Sequence, residues 1–359
     1  MIRVLIAEDS PSIQRILAAL LSDQEDIEVV GVAKDGLEAV EMCRELRPDL
    51  VTMDIFMPRL DGLEATQRIM REFPTRIVLV SSIVDSQNLK NSFEAIRSGA
   101  VELIKKPHGA LSGNYSEVRD ELIRVVRKIM QAQPIKQLRY SCPVPPRRPE
   151  KQRQEKKPLT SLLKKSHQRI FTAAPSVICI GGSTGAPAVL ATILSSLSPS
   201  YPVPMVIAQH IASGFIRGMV EWLDSIGTIE VRIAREGDFL RPATALVAPD
   251  NSHLQIESMA RVRLIAPSGN ETYVPSIDQL FESAAASFGS NGLGVILSGM
   301  GSDGCSGLAK MRSRGAVTIA QSERSSVVYG MPMVAYKQGA AVAQMDPLEI
   351  IDYLEKLAR

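Results

Sequence analysis

The stretch VICIGGSTGAPAVL, residues 177–190, runs four apolar residues into two glycines, then Ser183, Thr184, Gly185 and an apolar helical pattern holding Pro187. The apolar run reads as a buried strand and the part from Pro187 onward as a helix. Between them, residues 181–185 spell G-x-S-x-G on the strand-to-helix corner. On such a corner a serine oxygen is exposed, and nearby backbone N–H groups face a forming oxyanion. The same corner also suits a phosphate-cradling turn. What the rest of the chain brings to that edge decides between them.

Working outward, apolar strands are expected at 203–210, 229–235, 244–249, 253–259, 261–267, 293–300 and 317–321. Helices are expected at 187–197, 214–226, 276–289, 306–316 and 346–358. Strands 253–259 and 261–267 lie close enough to pair as an antiparallel ribbon, so this α/β sheet is expected to be mostly parallel and partly mixed. A nucleophilic serine needs a base, usually histidine, and an acid that orients it. The chain has four histidines; His108 belongs to the first half and His167 to a basic middle segment. His210 ends the strand VPMVIAQH, the same topological position as Ser183. His253 begins a strand and is expected as an ordinary surface or turn residue. For the acid, LSGMGSDGCSG runs an apolar strand into a glycine-rich loop carrying Asp303. Asp238, Asp250 and Asp278 sit in turn or helix-start contexts, where aspartate caps or bends the chain. Ser183, His210 and Asp303 thus each follow an apolar strand at one sheet edge. Their chain order, Ser–His–Asp, differs from the Ser–Asp–His order of α/β-hydrolases, which points to another fold carrying similar chemistry.

The first part of the chain alternates strands and helices more regularly. Strands are expected at 2–7, 27–33, 48–54, 76–82 and 101–107, with helices after Asp9, at 36–46, 61–70, 93–100 and about 115–130. This pattern predicts a parallel sheet covered on both faces, with sites at the carboxyl ends of its strands. Those ends deliver Glu8 and Asp9, Asp54, Ser81 and Lys106. Three carboxylates at one edge repel unless a cation sits among them, and hard oxygen ligands suit Mg²⁺. A lysine and a hydroxyl beside them suit the oxygens of a phosphoryl group.

The chain's 359 residues imply two or three domains. Aromatics are only 4%, so the cores must be aliphatic. Four cysteines, Cys43, Cys142, Cys179 and Cys305, form no CxxC pair, which reads as reduced thiols in a cytoplasmic protein. The start, MIRVLIAEDS, is too short in apolar residues for a signal peptide or membrane span. Net charge is +2, but residues 131–172 hold eleven Lys and Arg against Glu150 and Glu155, with six of the 22 prolines. A basic stripe can signal nucleic acid; with so little apolar periodicity it reads instead as a solvated linker. The expected division is 1–130, linker 131–172, and 173–359.

The constellation AEDS, MDIFMPRLDG and KKP resembles the receiver domain of two-component response regulators over about residues 1–125. The resemblance implies a flavodoxin-like, doubly wound five-stranded parallel sheet. It also implies Asp54 as the acceptor of phosphate from a histidine kinase. Mg²⁺ would be held by Glu8, Asp9, Asp54 and the Phe56 carbonyl, with Ser81 and Lys106 on the phosphoryl group. Leu103 stands three residues before the lysine, where that family often has Tyr or Phe. The stretches IGGSTGAP, QHIASGF, LSGMGSDGCSGL and SSVVYGMP resemble the CheB family, the chemoreceptor methylesterases of bacterial chemotaxis, a likeness that spans nearly all of the chain except 131–172. Gly182 stands where alanine is common in that family and Ser302 where asparagine is common.

The resemblance implies hydrolysis of glutamyl methyl esters on chemoreceptors, releasing methanol, and deamidation of receptor glutamines, in chemotaxis adaptation. Ser183 would be the nucleophile with Thr184 beside it, His210 the base and Asp303 its orienting acid. The Met300 backbone N–H would join the oxyanion hole, and the esterase step would need no cofactor. The unphosphorylated receiver would cover the active-site mouth. A cytoplasmic monomer is expected, working on receptors and a kinase without nucleic acid or membrane insertion. Two other classes remain: a DNA-binding regulator, and a signalling adaptor whose C-terminal domain is non-catalytic.

Overall fold

In this computed structural model, residues 1–81, 86–107, 115–130, 175–269 and 271–358 are described, apart from the side chains of 86–90 and 115–118. His108, His167 and the expected linker 131–172 lie outside them.

The N-terminal part alternates β1 (Ile2–Ala7), α1 (Pro11–Ser22), β2 (Ile27–Ala33), α2 (Gly36–Leu46), β3 (Leu50–Asp54), α3 (Gly62–Glu72), β4 (Arg76–Ser81), α4 (Ser86–Arg97), β5 (Glu102–Lys105) and α5 (Tyr115–Met130). All pairings are parallel, in the order β2-β1-β3-β4-β5. This is the doubly wound order whose site lies beyond the carboxyl ends of β1 and β3. Helix starts follow their caps: Asp35 accepts the Glu38 N–H at 3.0 Å and Asp61 the Glu64 N–H at 2.8 Å. Helix α4 begins at Ser86, earlier than the expected 93, because its first turns are polar and show no apolar stripe.

The C-terminal part runs β6 (Val177–Gly182), α6 (Ala186–Ser196), β7 (Met205–Gln209), α7 (Ile216–Ile226), β8 (Glu230–Ile233), β9 (Thr244–Val247), β10 (His253–Glu257), β11 (Arg261–Ile265), α8 (Ile277–Phe288), β12 (Gly292–Ile296), α9 (Cys305–Ser313), β13 (Val317–Gln321), α10 (Met331–Lys337), β14 (Ala343–Met345) and α11 (Pro347–Leu357). Seven strands form one sheet in the order β14-β13-β12-β6-β7-β9-β8. Every pairing in it is parallel, so the expectation of a partly mixed sheet is corrected. The antiparallel pair β10–β11 exists, but as a separate two-stranded ribbon packed over α8. Helix α10 and strand β14 were not expected: seven and three residues are too short to show a period.

The two sheets share buried surface. Phe93 of α4 stacks on Trp222 of α7, ring centroids 5.5 Å apart, and both are fully buried. The indole N–H of Trp222 donates to Glu94 at 2.9 Å. Val327 and Val328, after β13, join the apolar cluster made by α1, α5 and the near face of the first sheet. Among the described residues no helix is long and apolar enough to cross a membrane.

Candidate active site

Strand register builds the site. Gly182 of β6 pairs with Gln209 of β7, and the His210 N–H donates to the Gly182 carbonyl at 2.9 Å. Ser183 and His210 are therefore the next residues out on neighbouring strands, which run about 4.8 Å apart. On the other side of β6, the Ser183 N–H donates to the Ser298 carbonyl at 3.0 Å, which seats the loop after β12 against the serine. Gly299 is packed so closely that a Cβ there would lie 2.6 Å from the Ser183 Cβ. The same closeness explains Gly182: a Cβ would meet the Ala186 Cβ at 2.5 Å and Gln209 Oε1 at 2.9 Å. Gly185 takes φ +81°, the left-handed turn that starts α6.

The loop after β12 then carries Asp303 across to His210. Asp303 Oδ2 lies 2.8 Å from His210 Nε2. Since a carboxylate only accepts, a neutral ring making this bond carries its proton on Nε2 and leaves a lone pair on Nδ1. That Nδ1 is buried and has no hydrogen-bond partner among the described residues. Asp303 also accepts the backbone N–H groups of Ile277 (2.8 Å), Asp278 (3.0 Å) and Gly304 (3.0 Å), and the Ser276 hydroxyl (3.2 Å). Its carboxylate thus sits on the N-terminus of α8, whose dipole favours negative charge. Burial pushes the Asp303 carboxyl up, but the bond and charge of His210 and these backbone donors hold it below the ordinary aspartate value.

Asp303 and His253 also take structural roles not assigned from the sequence. Asp303 caps α8 rather than the helix it precedes, and Asp278 of α8 in turn accepts the Gly307 N–H of α9 at 2.7 Å. His253 is not at the surface. It is fully buried, and its Nδ1 accepts the Ser276 N–H at 3.0 Å, beneath the same helix start.

Thr184 is buried, and its hydroxyl donates to the carboxylate of Glu102 in β5 of the other sheet. Met300 lies one residue past Gly299 and is half-buried against the α1–α5 apolar cluster. Sequence reasoning missed Glu102, Gln209 and Tyr273. The buried Gln209 amide donates to the carbonyls of both Ser183 and His210 at 2.9 Å, tying the two corners together. A polar residue closing an apolar strand was its signal. Tyr273 stacks on the His210 ring with centroids 4.6 Å apart, and a lone aromatic in a polar loop gives no signal.

The first sheet gathers its acids as expected. Glu8, Asp9 and Asp54 place carboxylate oxygens within 4.8 Å of one another. Lys106 Nζ bridges Asp54 at 2.8 Å and Glu8 at 2.9 Å. Burial, then the Asp54 charge, push Glu8 up to about 7 despite the lysine. Burial also raises Asp54. Hard oxygens gathered this closely fit a divalent cation, whose charge would favour their ionised forms. Ser81 is buried, and its carbonyl accepts the Lys106 N–H at 2.9 Å, so hydroxyl-bearing residue and lysine lie side by side. The Phe56 N–H reaches Asp54 Oδ1 at 3.4 Å. Leu103 is buried in the core with Leu79, Phe93 and Ile96, a position that faces inward.

Comparison with known proteins finds two matching families. Residues 178–354 match the CheB methylesterase family, and residues 4–111 the response regulator receiver domain. The chain is 40% identical to protein-glutamate methylesterase/protein-glutamine glutaminase 4 of Geobacter metallireducens, covering 100% of this chain and 99% of that one. It is 38% identical to protein-glutamate methylesterase/protein-glutamine glutaminase 2 of Methanospirillum hungatei, with the same coverage. Among solved structures, the CheB methylesterase catalytic domain of Thermotoga maritima is 30% identical, covers 52% of this chain and 100% of its own, and superposes with a TM-score of 0.49.

Proposed function

The chain belongs to the CheB methylesterase family and carries a receiver domain ahead of the methylesterase domain, and from this we propose that it is a phosphorylation-regulated protein-glutamate methylesterase and glutaminase that acts on chemoreceptors. The observation that carries the esterase reading is the His210–Asp303 bond of 2.8 Å beside the Ser183 corner. The division into a receiver over 1–130, a linker over 131–172 and a catalytic domain over 173–359 is proposed with it.

In this reading Ser183 Oγ attacks the glutamyl ester carbonyl while His210 Nδ1 takes its proton. Asp303 holds Nε2–H and stabilises the imidazolium. The developing oxyanion is held by backbone donors, the Met300 N–H among them, each worth about 3 kcal/mol. The methoxide oxygen takes the proton from His210 and leaves as methanol. A water, deprotonated by the same Nδ1, then splits the acyl-enzyme into glutamate and free serine. A glutamine follows the same route, with ammonia leaving. No group beyond the chain's own residues and water enters these steps.

Asp54 is the proposed phospho-acceptor, with a histidine kinase as donor and Ser81 and Lys106 on the phosphoryl oxygens. Glu8, Asp9, Asp54 and the Phe56 carbonyl would hold Mg²⁺. Bound there, it neutralises charge on the transferring phosphoryl group. The proposed inhibition is supported by the bond between Thr184, next to the nucleophile, and Glu102 of the receiver. The test is methanol release with mass spectrometry of receptor helices. Ser183→Ala should abolish demethylation and leave Asp54 phosphorylation intact. Demethylation retained by that variant overturns the assignment.

A further inference from the structure

The segment leading into α8 is pinned at its end. The Ser276 N–H donates to the buried His253, and its hydroxyl donates to Asp303. Three residues upstream, Tyr273 lays its ring flat on the His210 imidazole, centroids 4.6 Å apart and planes 2° from parallel. Its hydroxyl end rests over Gly301, where a Cβ would lie 2.8 Å from the phenol oxygen; Gly301 takes φ +91° in the Met300 loop. One side chain therefore spans from the imidazole to the loop that carries Asp303.

A stacked aromatic adds little to a neutral imidazole, but its ring face is the negative side of its quadrupole. A cation over that face, within about 6 Å of the centroid, is attracted. On the reading given above, His210 is neutral before attack and an imidazolium while it holds the Ser183 proton. The stack thus strengthens as the reaction proceeds, and only such interactions raise the rate of the chemical step. We infer that Tyr273 is a positioning residue whose ring face stabilises the imidazolium form of His210. This inference rests on the Ser183–His210–Asp303 reading, yet the titration of His210 tests it separately.

Among the described residues, four carboxylates are bonded into the elements that meet at this corner. Asp303 binds Nε2 directly, and Asp278 stands behind it, bonded to the Gly307 N–H. The loop after β7 reaches Asp250 through the Gly214 N–H at 3.1 Å. From the receiver, Glu102 ends on Thr184. All four carboxylates are unchanged by substitution at Tyr273, so a shift in His210 on removing the ring reports the ring. Tyr273 is half-buried and belongs to none of the apolar core clusters, so Leu in its place leaves those clusters intact.

The experiment uses the full chain with Tyr273→Leu and Tyr273→Phe. His210 is titrated by NMR in a Ser183→Ala background, and the pH dependence of methanol release is measured with Ser183 intact. Tyr273→Leu should lower the His210 midpoint by about half a pH unit and kcat by about 3- to 10-fold, with KM nearly unchanged. The acid limb of kcat/KM should move to lower pH by the same amount. Tyr273→Phe should match the parent in both. A His210 midpoint unmoved by Tyr273→Leu overturns the inference, as does a Phe variant displaced as far as the Leu variant, which would assign the effect to the hydroxyl. A shifted midpoint in a protein that releases no methanol even with Tyr273 present would overturn the esterase reading and leave this inference standing.

Discussion

Asp303 shows how much of this site is set by single donors. Its carboxylate accepts from His210, Ser276 and three backbone N–H groups. Asp303→Asn would present an amide to a ring nitrogen that must donate, forcing the other tautomer. By analogy with triad acids elsewhere, kcat should fall by about 10⁴-fold while the fold survives. A loss under tenfold in a methanol-release assay would remove Asp303 from the mechanism. The same residue has a pH signature. Its folded pKa lies below the unfolded value of about 3.9, so its stabilising contribution is complete above that value and disappears as pH falls through the folded one. Asp303's share of the stability gap between the parent and Asp303→Asn should therefore narrow as pH falls below about 4. Denaturant midpoints from about pH 5 downward check it; a gap that widens below about 4 contradicts the assigned sign. Gly182→Ala, forced against Ala186 and Gln209, should cost about 1–3 kcal/mol of stability.

Among the elements, α8 and α9 are joined by a reciprocal exchange: Asp303 before α9 caps α8, and Asp278 in α8 caps α9. Ser276→Ala removes both the N-cap bond to Gln279 and a donor to Asp303, and should destabilise by about 1 kcal/mol with a visible drop in kcat. Unchanged Tm and kcat would show that the backbone donors suffice. The strands that carry the site were legible because each is an apolar run breaking at a glycine or polar residue, as in VICIGGS and VPMVIAQH. Ser183, His210 and Asp303 could be placed at one edge by topology alone. What reads poorly is anything fixed by side-chain packing between distant segments. Tyr273 on His210, His253 under Ser276 and Glu102 against Thr184 join residues separated by 63, 23 and 82 positions, respectively. Nothing in their local sequence marks them. The exchange of caps between α8 and α9 was hidden for the same reason, since an aspartate before a helix suggests its own helix.

At the level of the whole molecule, among the described residues, the receiver lies against the catalytic domain through contacts of different kinds. They include the Phe93–Trp222 stack, the Trp222–Glu94 and Glu102–Thr184 bonds, and the insertion of Val327 and Val328 into the α1–α5 cluster. If this face inhibits, loosening it without touching the reacting groups should raise basal turnover. The double variant Glu94→Ala, Glu102→Gln is expected to release methanol several-fold faster than the parent in the absence of a phosphodonor. Equal or slower release would mean that the contact does not restrain the enzyme. Chelation of divalent cations should leave that basal rate unchanged while blocking its stimulation by acetyl phosphate. The Trp222 contact has one more consequence. The chain has a single indole, and it is fully buried with its N–H held by a carboxylate of the opposite domain. Separation of the domains would hydrate it and displace its emission to longer wavelength, so the protein contains its own optical clock. Stopped-flow fluorescence of the unlabelled chain could time opening against phosphorylation and show which comes first.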